Sequence, residues 1–252
     1  MSAFDDRVRT AHGDTWQTEG RLRARHGGGA VEWPGVRLMA SGLPYAQWNN
    51  GDLVDLARFD PEEVRAWYAA RAGGAGVPWG MRVAGGALFP YGRFVFAQRC
   101  MAVVAEDFVG AQCPADVAIS LATSNDIAAI ARIDAEAFEE DLDASLAWIA
   151  PHVGAHGFTV ALARLGAVPV GVATAVHTND RAGRCAGIFG VGVVASARAQ
   201  GIGAALTTWL VKGAFDRGAT LVHLNPNTEG AARIYARLGF VETLGFDIYT
   251  GL

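Results

Sequence analysis

Gly190-Val191-Gly192-Val193-Val194-Ala195-Ser196-Ala197-Arg198-Ala199-Gln200-Gly201-Ile202-Gly203-Ala204 is the stretch on which the reading of this sequence turns. It starts with small and β-branched residues that show no helical period, which predicts a strand. It then passes through an arginine, a glutamine and two glycines. Beyond them Ile202, Ala205, Leu206, Trp209, Leu210 and Ala214 recur at helical spacing. The stretch is therefore a strand, a short glycine loop and the start of a helix. Glycines let a backbone pass close to a ligand and adopt positive φ. The first amides of a helix have no partner within it, and the dipole adds partial positive charge there, so the loop suits an anion, above all a phosphate.

Three phosphate loops compete for this stretch. A Walker loop needs a lysine and a hydroxyl after its last glycine, and Ala204 and Ala205 stand there instead. Gly190-x-Gly192-x-x-Ala195 formally matches a dinucleotide fingerprint, but its glycines lie inside the strand and Arg198-Ala199-Gln200 interrupts any helix starting at Ala195. The third candidate fits. Arg198-Ala199-Gln200-Gly201-Ile202-Gly203 resembles the pyrophosphate loop of the GNAT family of N-acetyltransferases, Arg/Gln-x-x-Gly-x-Gly/Ala, with Val193 matching the strand residue five places ahead. Ile234-Tyr235-Ala236-Arg237-Leu238-Gly239-Phe240 is similar to the family's Leu-Tyr-x-x-Leu-Gly-Phe segment. Both motifs occur in the expected order with a strand between them, and the resemblance covers the C-terminal half.

The resemblance implies an α/β (α+β) fold, a mixed and largely antiparallel sheet flanked by helices. It implies acetyl-CoA as co-substrate and direct acyl transfer to a primary amine of a small molecule or peptide. It assigns Val191 and Val193 to the pantetheine arm, Arg198, Ala199, Gln200, Gly201, Ile202, Gly203 and Ala204 to the pyrophosphate, Asn227 to the same cofactor, and Tyr235 to a position near the thioester sulfur as catalytic acid. Many family members carry a carboxylate on the strand before the loop. Cys185-Ala186-Gly187-Ile188-Phe189-Gly190 has none, which leaves open a water relay, an acceptor already partly neutral or a base from elsewhere, with His177 and His223 as candidates. The missing acid also keeps a second class in view, a catalytically weak acyl-CoA-binding regulatory module.

The chain outside these motifs sets the context. Its 252 residues predict two domains, divided here at 1–113 and 114–252 by the linker-like Phe108-Val109-Gly110-Ala111-Gln112-Cys113-Pro114. With 51% hydrophobic and 18% charged residues it is globular. A net charge of -4 without a basic tail excludes nucleic acid as the main partner. No apolar run reaches membrane length and the N-terminus lacks a signal-peptide core, so a cytoplasmic protein is expected. Three scattered cysteines suggest neither a disulfide framework nor zinc. His152 and His156 have helical metal spacing but no third ligand.

Residues 1–30 read as a short helix or arm, Asp60-Pro61-Glu62-Glu63 as a firm helix start, and the N-terminal half as a GNAT-like domain that has lost its cofactor loop. Its aromatic loop (Tyr45, Trp48) and the acidic run Glu139-Glu140-Asp141-x-Asp143 are candidates for the acceptor side. Thr123-Ser124-Asn125-Asp126 caps a helix bearing Ile127, Ile130, Ile133 and Phe138. Hairpin spacings between 158 and 194 predict an antiparallel meander, and the segment from Phe240 onward predicts a last hairpin closed by Phe246–Tyr249.

Overall fold

The computed structural model describes residues 2–251. In chain order it contains α1 (Ala3–Arg23), β1 (Gly29–Trp33), β2 (Val36–Ala40), β3 (Asn49–Leu53), α2 (Pro61–Ala69), β4 (Gly80–Ala84), β5 (Arg93–Gln98) and β6 (Met101–Val103). There follow β7 (Val117–Leu121), α3 (Ile127–Phe138), α4 (Leu142–Ile149), β8 (Phe158–Leu165), β9 (Val168–Asp180) and β10 (Gly183–Val193). The chain continues through α5 (Ile202–Asp216), β11 (Leu221–Leu224), α6 (Glu229–Arg237), β12 (Val241–Glu242) and β13 (Phe246–Thr250). Two compact units result. One joins residues 1–100 to 242–252, and the other is the continuous segment 101–241. The fold class is mixed α/β with two largely antiparallel sheets.

The first unit holds a six-stranded sheet, order β1-β2-β3-β4-β13-β5, with β3 and β4 parallel and its other pairs antiparallel. α1 is a full 21-residue helix, longer than expected of so polar a segment. Ser2 and Asp5 form a reciprocal capping box at its start. Its buried polar residues find partners: Asp14 Oδ1 accepts from Arg37 at 2.6 Å, Gln17 donates to the Leu38 carbonyl at 2.8 Å, and Arg23 meets Glu19 at 2.5 Å. Buried polar groups that are satisfied in this way do not need an apolar stripe to dock.

The division at 113/114 drawn from composition differs from this arrangement at both ends. Met101–Val103 pairs antiparallel with β11 in the second unit. The segment after Phe240 does not close a hairpin in the second unit. β13 runs instead between β4 and β5 of the first sheet, with Asp247 opposite both Val83 and Ala97. A local hairpin and a long-range strand insertion present the same short alternating pattern, and only the pairing partners distinguish them.

The second unit holds a seven-stranded sheet, order β12-β6-β11-β10-β9-β8-β7. The expected meander is present as β8, β9 and β10, each antiparallel to the next, and β10 then pairs parallel with β11. Alternate side chains go to opposite faces. Val160 and Leu162 pack with Ile130, Ile133 and Ile149 of α3 and α4. Ala161, Ala163, Ala173 and Ala175 face Ile202, Leu206 and Leu210 of α5. Small residues on this second face let α5 approach closely. A Cβ on Gly171 would come within 2.9 Å of Leu206 Cδ1. The buried Ile202, Leu206, Leu210 and Val211 of α5 each contribute about 1.5–3 kcal/mol, and they fix where its N-terminus lies.

Thr123 and Asp126 form the expected reciprocal cap, on the 3-10 turn Ser124–Asp126 that leads into α3. Within the acidic run Asp141 has a structural task. Its carboxylate accepts from the amides of Asp143 and Ala144 at 2.9 and 3.0 Å and starts α4. No helix among the described residues is long and apolar enough to cross a membrane.

Candidate active site

The site forms where β11 ends and its neighbour β10 runs on. β10 and β11 pair in parallel from Cys185↔Leu221 to Ile188↔Leu224, and the pairing ends there. β10 runs on to Val193, so its edge from Phe189 onward is not covered by β11. On its other side the register against β9 shifts between Phe189 and Gly192, and Gly190 takes φ +58°. This bulge bends the strand just beyond the end of β11.

The strand then leads into a tight loop. Ala195–Ala197 forms one 3-10 turn, Ala199 takes φ +62° and Gly201 takes φ +81° as N-cap of α5. No side chain caps α5, and its first intrahelical bond runs from the Ala205 amide to the Gly201 carbonyl at 3.0 Å. The amides ahead of it are left to solvent or a ligand, at the positive end of a 15-residue helix. Arg198 Nε donates to the Val193 carbonyl at 3.1 Å, which holds the guanidinium beside the strand edge. Glu136 Oε1 accepts from the Ala195 amide at 2.7 Å and braces the loop from α3.

A cleft of about 540 Å3 lies over this loop. Val191 and Val193 line it from the strand; Arg198, Ala199, Gly201, Ile202, Gly203 and Ala204 line it from the loop and helix. Asn227 and Tyr235 line it from the opposite side. Of the residues singled out in the sequence, Gln200 is not part of the lining. It is exposed, with its amide near the Ser196 carbonyl at 3.5 Å. The helix α6 that carries Tyr235 is capped by Thr228, whose hydroxyl accepts from the Ala231 amide at 3.1 Å. Burial pushes the Tyr235 phenol up to about 12, against the opposing effect of a hydrogen bond with Thr207. The hydroxyl thus keeps its proton at neutral pH and can donate it.

The histidines considered as bases are placed differently. His177 shares a 2.9 Å hydrogen bond with Thr159 Oγ1 and is pulled down to about 4 by burial, with Arg217 adding to the effect. It is neutral at physiological pH. His223 is buried, with its ring 6.1 Å from that of Phe189. His152 stacks on Phe158 at 5.1 Å, a packing role, while His156 is exposed.

The sequence reading passed over one group. Asp134 of α3 is only 5% exposed, and its Oδ1 lies 3.7 Å from the point where a Cβ on Gly190 would sit. Burial pushes its carboxyl up to about 6. Helical spacing carried the signal: Asp134 follows Ile130 by four positions, on the face that meets the sheet.

Comparison with known proteins agrees with this geometry. The sequence model of the Acetyltransferase (GNAT) family matches residues 125–240. No curated protein sequence matches. A GCN5-related N-acetyltransferase from Kribbella flavida shares the fold, with 24% identity and a TM-score of 0.66 over 95% of this chain and 93% of that one. A functionally unknown conserved protein from Staphylococcus epidermidis is similar over 89% of this chain and 95% of its own, with 14% identity and a TM-score of 0.63. The free edge of β10, the uncapped glycine loop and the matching sequence pattern fall within one segment, and residues 125–240 form a domain of the GNAT acetyltransferase family.

Proposed function

We propose that the second unit transfers an acetyl group from acetyl-CoA to a primary amine of a small molecule or peptide. The observation that carries this is the continuity of the cleft, which joins the uncovered edge of β10 to the uncapped N-terminus of α5. An extended chain bearing amides can pair with a free strand edge, and a pyrophosphate suits free helix amides. In this reading Val191 and Val193 offer backbone groups to the pantetheine arm. The amides of Ala199 to Ala204 hold the pyrophosphate, with Arg198 adding a cation, and Asn227 closes the far side.

Transfer is direct. The amine nitrogen attacks the thioester carbonyl carbon, a tetrahedral intermediate forms, and the carbon–sulfur bond breaks. Tyr235, which retains its proton to about 12, donates to the departing sulfur as charge builds there. The loop of the second unit is the one cofactor site of this proposal, so a single equivalent of acetyl-CoA binds per chain. The experiment is thiol release from acetyl-CoA with a panel of amines comprising a polyamine, an aminoglycoside, an amino-acid amide and a peptide N-terminus. Amine-dependent release supports the reading. Tight acetyl-CoA binding without release by any of them points to a binding module instead.

A further inference from the structure

An amine acceptor must lose a proton as the new carbon–nitrogen bond forms, and β10 supplies no acid between Cys185 and Val193. The neighbouring helix does. Asp134 faces Gly190 at the bulge, and beyond Gly190 and its two chain neighbours no other heavy atom lies within 4 Å of the point where a Gly190 Cβ would stand. The missing side chain on the strand therefore leaves a way to the carboxylate. Ala137 and Phe138, three and four residues further along α3, line the cleft itself. Asp134 belongs to the same helical face, one turn earlier, next to that lining. We propose that Asp134 is the general base of this domain and takes the proton of the acceptor amine; the proposal rests on the acetyltransferase reading of the cleft.

The groups that face Asp134 suit that task. Ser145 of α4 and His152 of the turn after it favour the ionised form, Glu140 opposes it, and desolvation outweighs the others. Asp134 is consequently ionised above pH about 6 and yet more basic than an ordinary carboxylate. A neutral amine attacks the carbonyl carbon and the nitrogen–carbon bond forms. One nitrogen proton passes to the Asp134 carboxylate. The carbon–sulfur bond breaks, and the sulfur takes the Tyr235 proton. Asp134 then returns its proton through water to the Tyr235 oxygen.

Asp134→Asn keeps the shape and removes the base. Three measurements are made on the full chain: acetyl-CoA affinity by calorimetry, thiol release with the amine panel above, and the pH profile of kcat/KM. The expected result is a loss of about 100- to 10,000-fold in kcat, with acetyl-CoA affinity within about threefold of wild type. The wild-type acidic limb near pH 6 should vanish with the variant. Asp134→Glu, which keeps a carboxylate on a longer arm, should recover part of the rate and retain an acidic limb. A folded Asp134→Asn protein with more than a third of wild-type kcat, or with the limb unchanged, overturns the proposal. So does a fall in rate without any change in the profile, the mark of a positioning role. If Asp134→Asn does not fold, Asp134→Glu decides: wild-type-like acetyl-CoA binding with no recovered rate and no limb counts against it. A wild-type protein that binds acetyl-CoA and turns over none of the amines overturns it too. A wild-type protein that fails to bind acetyl-CoA overturns the underlying reading of the cleft instead.

Discussion

Gly201→Asp is the sharpest test of the phosphate loop. Gly201 sits at φ +81°, where an L side chain costs about 1–2 kcal/mol. Space is not the obstacle, since a Cβ there would meet only Pro114 Cγ, at 3.8 Å. The new carboxylate would lie beside the helix amides proposed to hold the pyrophosphate. Two unit charges about 6 Å apart repel by about 1.4 kcal/mol at an effective dielectric of about 40, and by about 2.8 kcal/mol at about 20. These energies correspond to roughly tenfold and hundredfold weaker binding, and screening shrinks the effect as salt rises. Gly201→Ala separates the two contributions. It carries the backbone strain in both free and bound protein, so its affinity should stay within about threefold of wild type while its Tm falls by roughly 2–8 °C. The assay is calorimetric titration of acetyl-CoA into each folded variant at low and high salt. A Gly201→Asp protein with wild-type affinity at low salt would refute the assignment of the pyrophosphate to this loop.

Gly203→Ala should behave in the opposite sense. Its backbone is helical and a methyl would rest 3.9 and 4.0 Å from Val191 Cγ1 and Val193 Cγ2, so thermal scans should show a gain of up to about 1 kcal/mol, with acetyl-CoA affinity within about threefold. Tyr235→Phe keeps the ring and removes the proton donor. Steady-state assays should show turnover lower by roughly 10- to 1000-fold with little change in acetyl-CoA affinity, and wild-type turnover under rate-limiting chemistry would remove Tyr235 from the mechanism. Asp134 has its folded value raised from 3.8 to about 6, so ionising it costs folding stability, a cost absent below about pH 4 and complete above about pH 6. Asp134→Asn should therefore gain up to about 3 kcal/mol over wild type at pH 7.5, with the gain vanishing near pH 4 in denaturant titrations. Acetyl-CoA titration should reach one equivalent per chain, and two equal sites would show that the first unit binds it as well.

The second unit was the more legible of the two because its signals are local. Thr123 with Asp126, the turns within 158–194 and the glycines before α5 each act over a few residues, and the structure has those elements where the pattern put them. In the first unit the information is spread along the chain. Asn49-Asn50-Gly51-Asp52-Leu53 carries no strand signature, yet it forms β3. Asn49 is satisfied by Ser41 and by the carbonyls of Leu43, Tyr45 and Pro78, partners up to 29 residues away. The polarity of α1 misled for the same reason. Within the site, the loop and the Tyr235 helix announced themselves as motifs. Asp134 did not, because an acid on a helix reads as solvated until the strand beside it is known to bulge and to present a glycine.

The position of β13 has a consequence for how the protein is made. Segment 101–241 is continuous, so all its strands and helices can assemble once they have left the ribosome. The first unit has to wait. Its residues up to Cys100 emerge earliest, but β4 and β5 have no strand between them until Phe246–Thr250 arrives. The earliest-made unit is thus the last to close its sheet, and in the interval the facing edges of β4 and β5 stand open to other chains. Once residues 101–241 have left the ribosome, the second unit can be complete while the first still lacks β13.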